Sequence, residues 1–356
     1  MISNTIKPLE YVREKNVRRQ QHLSNKASCV ILSRLVLTET QETKDTIPDG
    51  VIVVVGPTAV GKTATAIELV SLIGGEVISA DSMAVYKGMD IGTAKPTKEE
   101  QARAKFHLID IVDPSEPFSV GQFQRIAQDA IDDVLKRNPP AIVVGGSGLY
   151  VRAAIDGLDI SMPAANPQLR KKLAEEARIH GNEHVHRKLA EVDPAAAARI
   201  HPNNLKRVIR ALEIYEATGT PPSVLFEADA KRKPRYPNAK WFGLTVDRKE
   251  LYARIEQRVD AMIEAGLEDE VSRLLESGID PSLPSMQGLG YKEIAGYLRG
   301  EYSRDEAIAL LKKNTRRFAK RQYTWFKADP RIVWIDVAGR TAKEVATIIK
   351  ESLTNE

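Results

Sequence analysis

The chain has a single cysteine, Cys29, in 356 residues. That excludes a disulfide framework and a cysteine-built metal site. It suits a reducing cytosol, so a cytoplasmic location is expected. No apolar run approaches the roughly 18 residues that a membrane span needs, so no membrane partner is expected. Nor is there a large charge imbalance: 52 basic residues stand against 48 acidic ones, for a net charge of +4. A total so small does not argue for nucleic acid; only the distribution of the cations can. Internal repeats are absent. Four of the six histidines, His180, His184, His186 and His201, fall in one stretch. With no cysteine beside them and no paired carboxylates, they read as surface residues rather than zinc ligands.

What is present begins at Val51. A β-branched run, Val51 to Val55, stops at Gly56, and the pattern G-x-x-x-x-G-K-[ST] follows as Gly56, Pro57, Thr58, Ala59, Val60, Gly61, Lys62 and Thr63. An apolar helical stretch, Ala64–Ile73, comes next. Strand, glycine loop and helix in that order make a P-loop. Its glycines let successive N–H groups point inward, and the helix N-terminus adds its positive dipole end, so the loop cradles phosphate oxygens. Lys62 is placed to reach a phosphate as a point charge, and the Thr63 hydroxyl to hold Mg²⁺. The loop alone does not say what becomes of the phosphates.

The rest of the chain narrows the choice. Residues 1–48 read as an N-terminal extension, expected to be disordered: Met1 to Arg34 carries seven basic residues and two acidic ones with no clear start of a fold. A transit peptide is the alternative, and Glu10 and Glu14 count against it. After the P-loop helix, Glu76–Ala80 reads as a strand ending on Asp81, at the edge where open α/β sheets bind ligands; a turn-forming Asp is the plainer alternative. Asp90, in an apparent turn, has a weaker claim. Phe106–Val112 is the next strand candidate. Ala141–Val144 is another, and it ends in Gly145, Gly146 and Ser147, where a P-loop NTPase often has its Mg²⁺-organising carboxylate. That missing carboxylate speaks against ordinary ATP hydrolysis.

Between Leu158 and Pro237 the pattern turns helical, with the cations Lys206, Arg207 and Arg210 near one helix start. Trp241–Val246 returns to strand, with Arg248 in the first turn of the helix that follows. Arg304–Lys327 is the most basic helix, with Leu311, Phe318 and Trp325 marking an apolar stripe at seven-residue steps and Thr315 and Gln322 between. It has no acids from Ala307 to Ala328 and reads as an electrostatic footprint for a polyanion. The expected architecture is therefore α/β: a P-loop NTPase-like parallel sheet core over 49–157 and 238–356, with a helical insertion domain over 158–237.

Six segments, GPTAVGKT, DSMAVYKGMDIGTAKP, VGGSGLY, HPNNLKRVIRALEIYEATGTPPS, LPSMQGLGYKEI and RRFAKRQYTWF, run in order from residue 56 to residue 326. In these the chain resembles the tRNA dimethylallyltransferase (tRNA isopentenyltransferase) family. The resemblance implies transfer of a dimethylallyl group from dimethylallyl diphosphate to N6 of adenosine 37 beside the tRNA anticodon, with Mg²⁺, by a protein expected to be a monomer. It implies that the glycine loop holds the diphosphate and that Asp81 is general base. Ser147 matches a family Thr near the diphosphate, and Arg248 a family Arg that binds it. Contacts to the tRNA anticodon stem-loop are implied at Asp81, Ser82, Met83 and Ala84, and at Lys206, Arg207, Val208, Ile209 and Arg210. More are implied at Gln287, Gly288, Leu289, Gly290, Tyr291 and Lys292. The last group is Lys320, Arg321, Gln322, Tyr323, Thr324, Trp325, Phe326 and Lys327. Many relatives carry Gln at the position of Ala84, which puts the hold on the target adenine in question. Residues 1–48 have no counterpart in the typical bacterial member.

Three rivals share some of these features. A P-loop kinase would transfer phosphate from ATP. An adenylate isopentenyltransferase would run the same chemistry on free AMP, but would need neither the helical insert nor the basic helix. A non-enzymatic P-loop RNA-binding protein would have no use for Asp81 and Ser147 at strand ends.

Overall fold

Five β-branched residues in a row form β1, Val51–Val55, and every one is buried. A strand apolar on both faces belongs in the middle of a covered parallel sheet. That is where β1 lies in the computed structural model, which describes residues 50–158 and 166–354. The expected N-terminal extension lies outside the described residues. The other strands are β2 (Glu76–Ser79), β3 (Phe106–His107), β4 (Ala141–Gly145), β5 (Lys240–Thr245) and β6 (Ile332–Asp336). They form one parallel sheet of six in the order β3-β2-β4-β1-β5-β6. Alternation along β1 sends Ile52 and Val54 into one core and Val51, Val53 and Val55 into another. The first is covered by α1 (Lys62–Ile73), α10 (Arg248–Glu264) and α14 (Ala342–Thr354), the second by α3 (Val120–Arg137) and α4 (Gly148–Asp156). The chain is an α/β protein with a P-loop-like core.

α2 (Lys98–Arg103) leads into β3, which is shorter than the expected Phe106–Val112 strand. Leu108 and Asp110 take positive φ values of 64° and 56°. These turn the chain out of the sheet, leaving a lone bridge between Tyr86 and Val112.

The stretch from Leu158 to Pro237 contains α5 (Pro167–His180), α6 (Asn182–Val192), α7 (Pro194–Arg199), α8 (Leu205–Thr218) and α9 (Pro222–Ala230). α5 to α8 have a core of their own, including Leu173, Val185, Leu189, Val208 and Ile209. Side chains that fill this core have no face left for RNA, which corrects the expectation for Val208 and Ile209. A further apolar cluster packs the segment after β2 against α10, α11 (Leu267–Glu276), α12 (Tyr291–Leu298) and α13 (Arg304–Phe326).

The buried face of α13 keeps Leu311, Thr315 and Gln322 of the expected stripe but not Trp325. Leu311, Thr315, Ala319, Gln322 and Phe326 are buried, while Trp325 is 42% exposed. A straight helix drifts about 20° per heptad, so over the two heptads from Leu311 to Trp325 the apolar stripe turns away from the core while Thr315 and Gln322 stay on it.

Candidate active site

The loops after β1, β2 and β4 meet at the carboxyl edge of the sheet, the place where open α/β sheets hold ligands. A cavity of about 300 Å³ opens there. Thr58 reaches it from the P-loop, Asp81, Ser82 and Met83 from the end of β2, and Ser147 from the end of β4. α10 contributes Ile255, Arg258, Val259 and Met262 along one face, and α13 contributes Leu311, Thr315, Phe318 and Arg321. The remaining wall includes Gly92, Gln287, Gly288, Leu289, Tyr291 and Lys292. One part of the wall is thus cationic and hydroxyl-bearing, and another is apolar.

The P-loop is shaped for an anion. Gly61 takes φ 101° and precedes α1, whose first turn has no side-chain cap and no acidic residue. Its leading N–H groups are therefore free of the usual carboxylate competitor. Gly56 is required for packing: a Cβ there would lie 2.7 Å from the Leu244 carbonyl oxygen. Lys62 Nζ donates to the Pro57 carbonyl at 2.7 Å. Enclosure by protein atoms lowers the pKa of Lys62 to about 7, with the nearby Arg258 charge adding to the shift and Asp81 opposing it. Arg258 itself is half-buried and makes no ion pair or hydrogen bond among the described residues; desolvation pulls its pKa down, again against Asp81. Two cations enclosed together with one carboxylate form a cluster short of negative charge.

Asp81 is both the turn-former and a cavity residue. One carboxylate oxygen, Oδ1, accepts from the Met83 N–H at 2.8 Å. The other accepts no hydrogen bond among the described residues, and the side chain lines the cavity. The Ser147 hydroxyl accepts from the Ser82 N–H at 3.2 Å and contacts the Ser82 hydroxyl at 3.1 Å. The loops after β2 and β4 are thereby tied side by side. Gly145 permits that approach, since a Cβ on it would meet the Ala80 carbonyl oxygen at 2.2 Å.

The comparisons with known proteins agree with one another. Residues 84–329 match the family model "IPP transferase", and residues 49–112 match "Isopentenyl transferase". The chain is 52% identical over 288 residues to the tRNA dimethylallyltransferase of Acetivibrio thermocellus, covering 81% of this chain and 92% of that one. The chain belongs to the IPP transferase family. Among solved structures it is similar to the tRNA isopentenylpyrophosphate transferase of Bacillus halodurans, at 43% identity and TM-score 0.63, covering 86% of this chain and 97% of that one. It is also similar to a eukaryotic dimethylallyltransferase captured acting on tRNA, at 28% identity and TM-score 0.71, covering 86% and 80%. As an IPP transferase the protein is an enzyme that moves a prenyl group.

Several expected site residues of this IPP transferase stand elsewhere than the sequence suggested. Arg248 begins α10 at the surface, stacked over Tyr252 with its guanidinium 5.2 Å from the ring, and is not part of the cavity wall. Arg258, nearly three turns further along α10, is the arginine inside. Sequence reasoning missed it because a strand-end position seemed the better address. Its signal was the helical spacing Ile255, Arg258, Val259, Met262, which places a lone cation on an apolar face.

Gln322 is buried, not RNA-facing. Its Oε1 accepts from the Thr58 N–H at 2.9 Å and its Nε2 donates to the Gly146 carbonyl at 2.9 Å, bracing the P-loop against β4. Ala84, Tyr291 and Phe326 are also buried, and Tyr323 is turned to hydrogen-bond Thr245 Oγ1 at 2.9 Å and the Val246 N–H at 3.2 Å. Gly290, with φ 90°, sets the start of α12. Arg210 pairs with the buried Glu213. Of the cations on α13, Lys312 pairs with Asp260 at 2.6 Å and Arg316 with Glu256 at 2.7 Å. Lys313, Arg317 and Lys320, exposed and without ion pairs among the described residues, form a single stripe along with Thr324. Arg321 borders this stripe and the cavity. Lys206, Arg207, Trp325 and Lys327 are exposed.

Among the described residues no group of three or more His, Cys, Asp and Glu side chains is placed to hold a metal. The oxygens at hand are hard donors: the Asp81 carboxylate on the cavity wall and, in the P-loop, the Thr63 hydroxyl in the first turn of α1. That set fits Mg²⁺, which keeps waters and binds through one or two protein oxygens plus substrate phosphates. Among the described residues no helix is long and apolar enough to cross a membrane.

Proposed function

We propose that this enzyme transfers a dimethylallyl group from dimethylallyl diphosphate to N6 of adenosine 37 in tRNA, in the cytoplasm. The observation that carries this reading is the half-buried, unpaired Arg258 on the wall of a cavity with Asp81, close to Lys62 of the P-loop, the remaining wall being largely apolar. A diphosphate supplies the missing negative charge, and a five-carbon chain suits the apolar wall of Ile255, Val259, Met262 and Phe318.

In the reaction, the allylic C–O bond breaks and the diphosphate departs with the electron pair. The N6 lone pair forms the new C–N bond, and the N6 proton passes to the free oxygen of Asp81. Arg258, Lys62 and the P-loop amides stabilise charge as it develops on the leaving group. Mg²⁺ held at Thr63 would supply further neutralisation of that charge. No carboxylate is needed after β4, because no water is aligned for hydrolysis. The adenine must leave its stack, at a cost of a few kcal/mol. Cations on α13 and at Lys206 and Arg207 would grip the surrounding RNA and offset that cost. Incubating the protein with unmodified tRNA and labelled dimethylallyl diphosphate or γ-labelled ATP tests the reading: label from the isoprenoid should reach the RNA. Transfer from ATP alone, or labelling of free AMP in preference to tRNA, would replace it with one of the rivals.

A further inference from the structure

Glu270, on α11, is 2% exposed and makes no ion pair among the described residues. Its two oxygens are instead fully engaged by neutral donors. Oε2 accepts from the N–H groups of Asp90 and Ile91, both at 2.9 Å. Oε1 accepts from the Gly92 N–H at 3.1 Å and from the Tyr291 hydroxyl at 2.6 Å. Three consecutive amides thus converge on one carboxylate, whose fourth partner begins a different helix. Gly92 borders the cavity, and the fully buried Tyr291 backs its wall. They touch as closely as backbone and ring can, since a Cβ on Gly92 would lie 2.5 Å from the Tyr291 ring. From its other side the same loop is pinned by Lys95, whose ammonium donates to the Tyr86 carbonyl, to Asp90 at 2.7 Å and to Asp110.

We propose that Glu270 is a positioning residue for tRNA: it clamps the loop 90–93 to the start of α12 and so fixes the spacing of the cavity wall through which the target base enters. The inference rests on the proposed reaction. The diphosphate end is assembled from other elements, the P-loop and α10, so the clamp should act on the RNA side alone. A carboxylate is required by the donor count. It is acceptor-only, whereas glutamine replaces one oxygen with an NH₂ group. Each Glu270 oxygen faces two donors, so either orientation of the amide sets N–H against N–H.

The test is steady-state kinetics of Glu270→Gln and Tyr291→Phe with unmodified tRNA and dimethylallyl diphosphate, together with amide hydrogen exchange. In Glu270→Gln the KM for tRNA should rise about tenfold or more while the KM for dimethylallyl diphosphate stays within about twofold, a split that general loss of structure does not produce. Exchange at Asp90, Ile91 and Gly92 should accelerate. Tyr291→Phe should shift the KM for tRNA in the same direction by less, and should add little to Glu270→Gln, because the two share one hydrogen bond. A KM for tRNA within about threefold of the parent, or parallel loss of diphosphate binding, would overturn the clamp. Should Glu270→Gln fail to fold, Tyr291→Phe decides alone. A parent that never labels tRNA would sink the reaction instead, and the exchange data would still judge the clamp.

Discussion

Two regions of this molecule bring arginine and carboxylate groups close together, and they do so to opposite ends. In the helical insert, Glu213 is 1% exposed and takes hydrogen bonds from Arg170 at 2.8 and 2.9 Å, from Arg210 and from the Asn166 N–H. Burial works against its charge, yet those partners bring its pKa down to about 2. Every charge there is answered, and the result is a fastener between α5 and α8. At the sheet edge, Arg258 and Lys62 are enclosed with Asp81 and no ion pair forms. Partly desolvated charge without a partner is costly, and such perturbed groups cluster where ligands bind. On the proposed function, the first arrangement serves the fold and the second serves binding.

The sharpest way to break that contrast is at Asp81. Asp81→Asn keeps an oxygen for the Met83 N–H but removes the base. Turnover should fall about 10²–10⁴-fold, the usual worth of general-base help, with tRNA binding near normal in a filter assay. Activity within about threefold of the parent would remove Asp81 as the base. Next in size is a matched pair of substitutions. Arg258→Ala should cost about 10²–10³ in kcat, as loss of a charge-stabilising donor does, with an unchanged or raised melting temperature. Glu213→Ala should instead destabilise the fold by about 2–3 kcal/mol in denaturant titration, at the low end for a broken buried pair because both arginines are partly exposed, and should leave kcat per folded molecule alone. If Arg258→Ala melted early and kept its activity, the contrast would be wrong.

A smaller effect sharpens the comparison through pH. Free Lys62 loses its proton near pH 7. A bound diphosphate, being negative, raises that pKa, so binding above pH 7 takes up a proton. Affinity should be full below pH 7 and fall by up to about tenfold per unit above it, with proton uptake visible in calorimetry across buffers of different ionisation heat. Affinity that rose with pH would show that Lys62 does not meet the anion. The smallest effect belongs to the surface. Replacing Lys313, Arg317 and Lys320 with Ala should lower the slope of log K against log salt for tRNA binding by about 2. Replacing Lys312 and Arg316, which are already paired with acids on α10, should lower it by less.

How much of this was legible beforehand depends on whether the signal was local. The P-loop could be read because strand, glycines and helix start lie within twenty residues and their backbone does the work. Asp81 could be read because a strand end fixes its address. The insert's helices could be read from their period. Arg248 and Gln322 were misread because nothing local distinguishes a surface cation from a buried one, or an RNA contact from a strut to the P-loop. The Glu270 clamp was invisible, since its partners lie about 180 and 20 residues away in sequence.

The sequence by itself therefore determined the anion cradle, the parallel α/β core and the two helical regions, all of which follow from short-range pattern and backbone geometry. Only the tertiary structure decided which cations are neutralised and which stand without a partner. That depends on how far each charge stands from an opposite one and from water, and those distances exist only once α10, α13 and the loop after β2 have packed together.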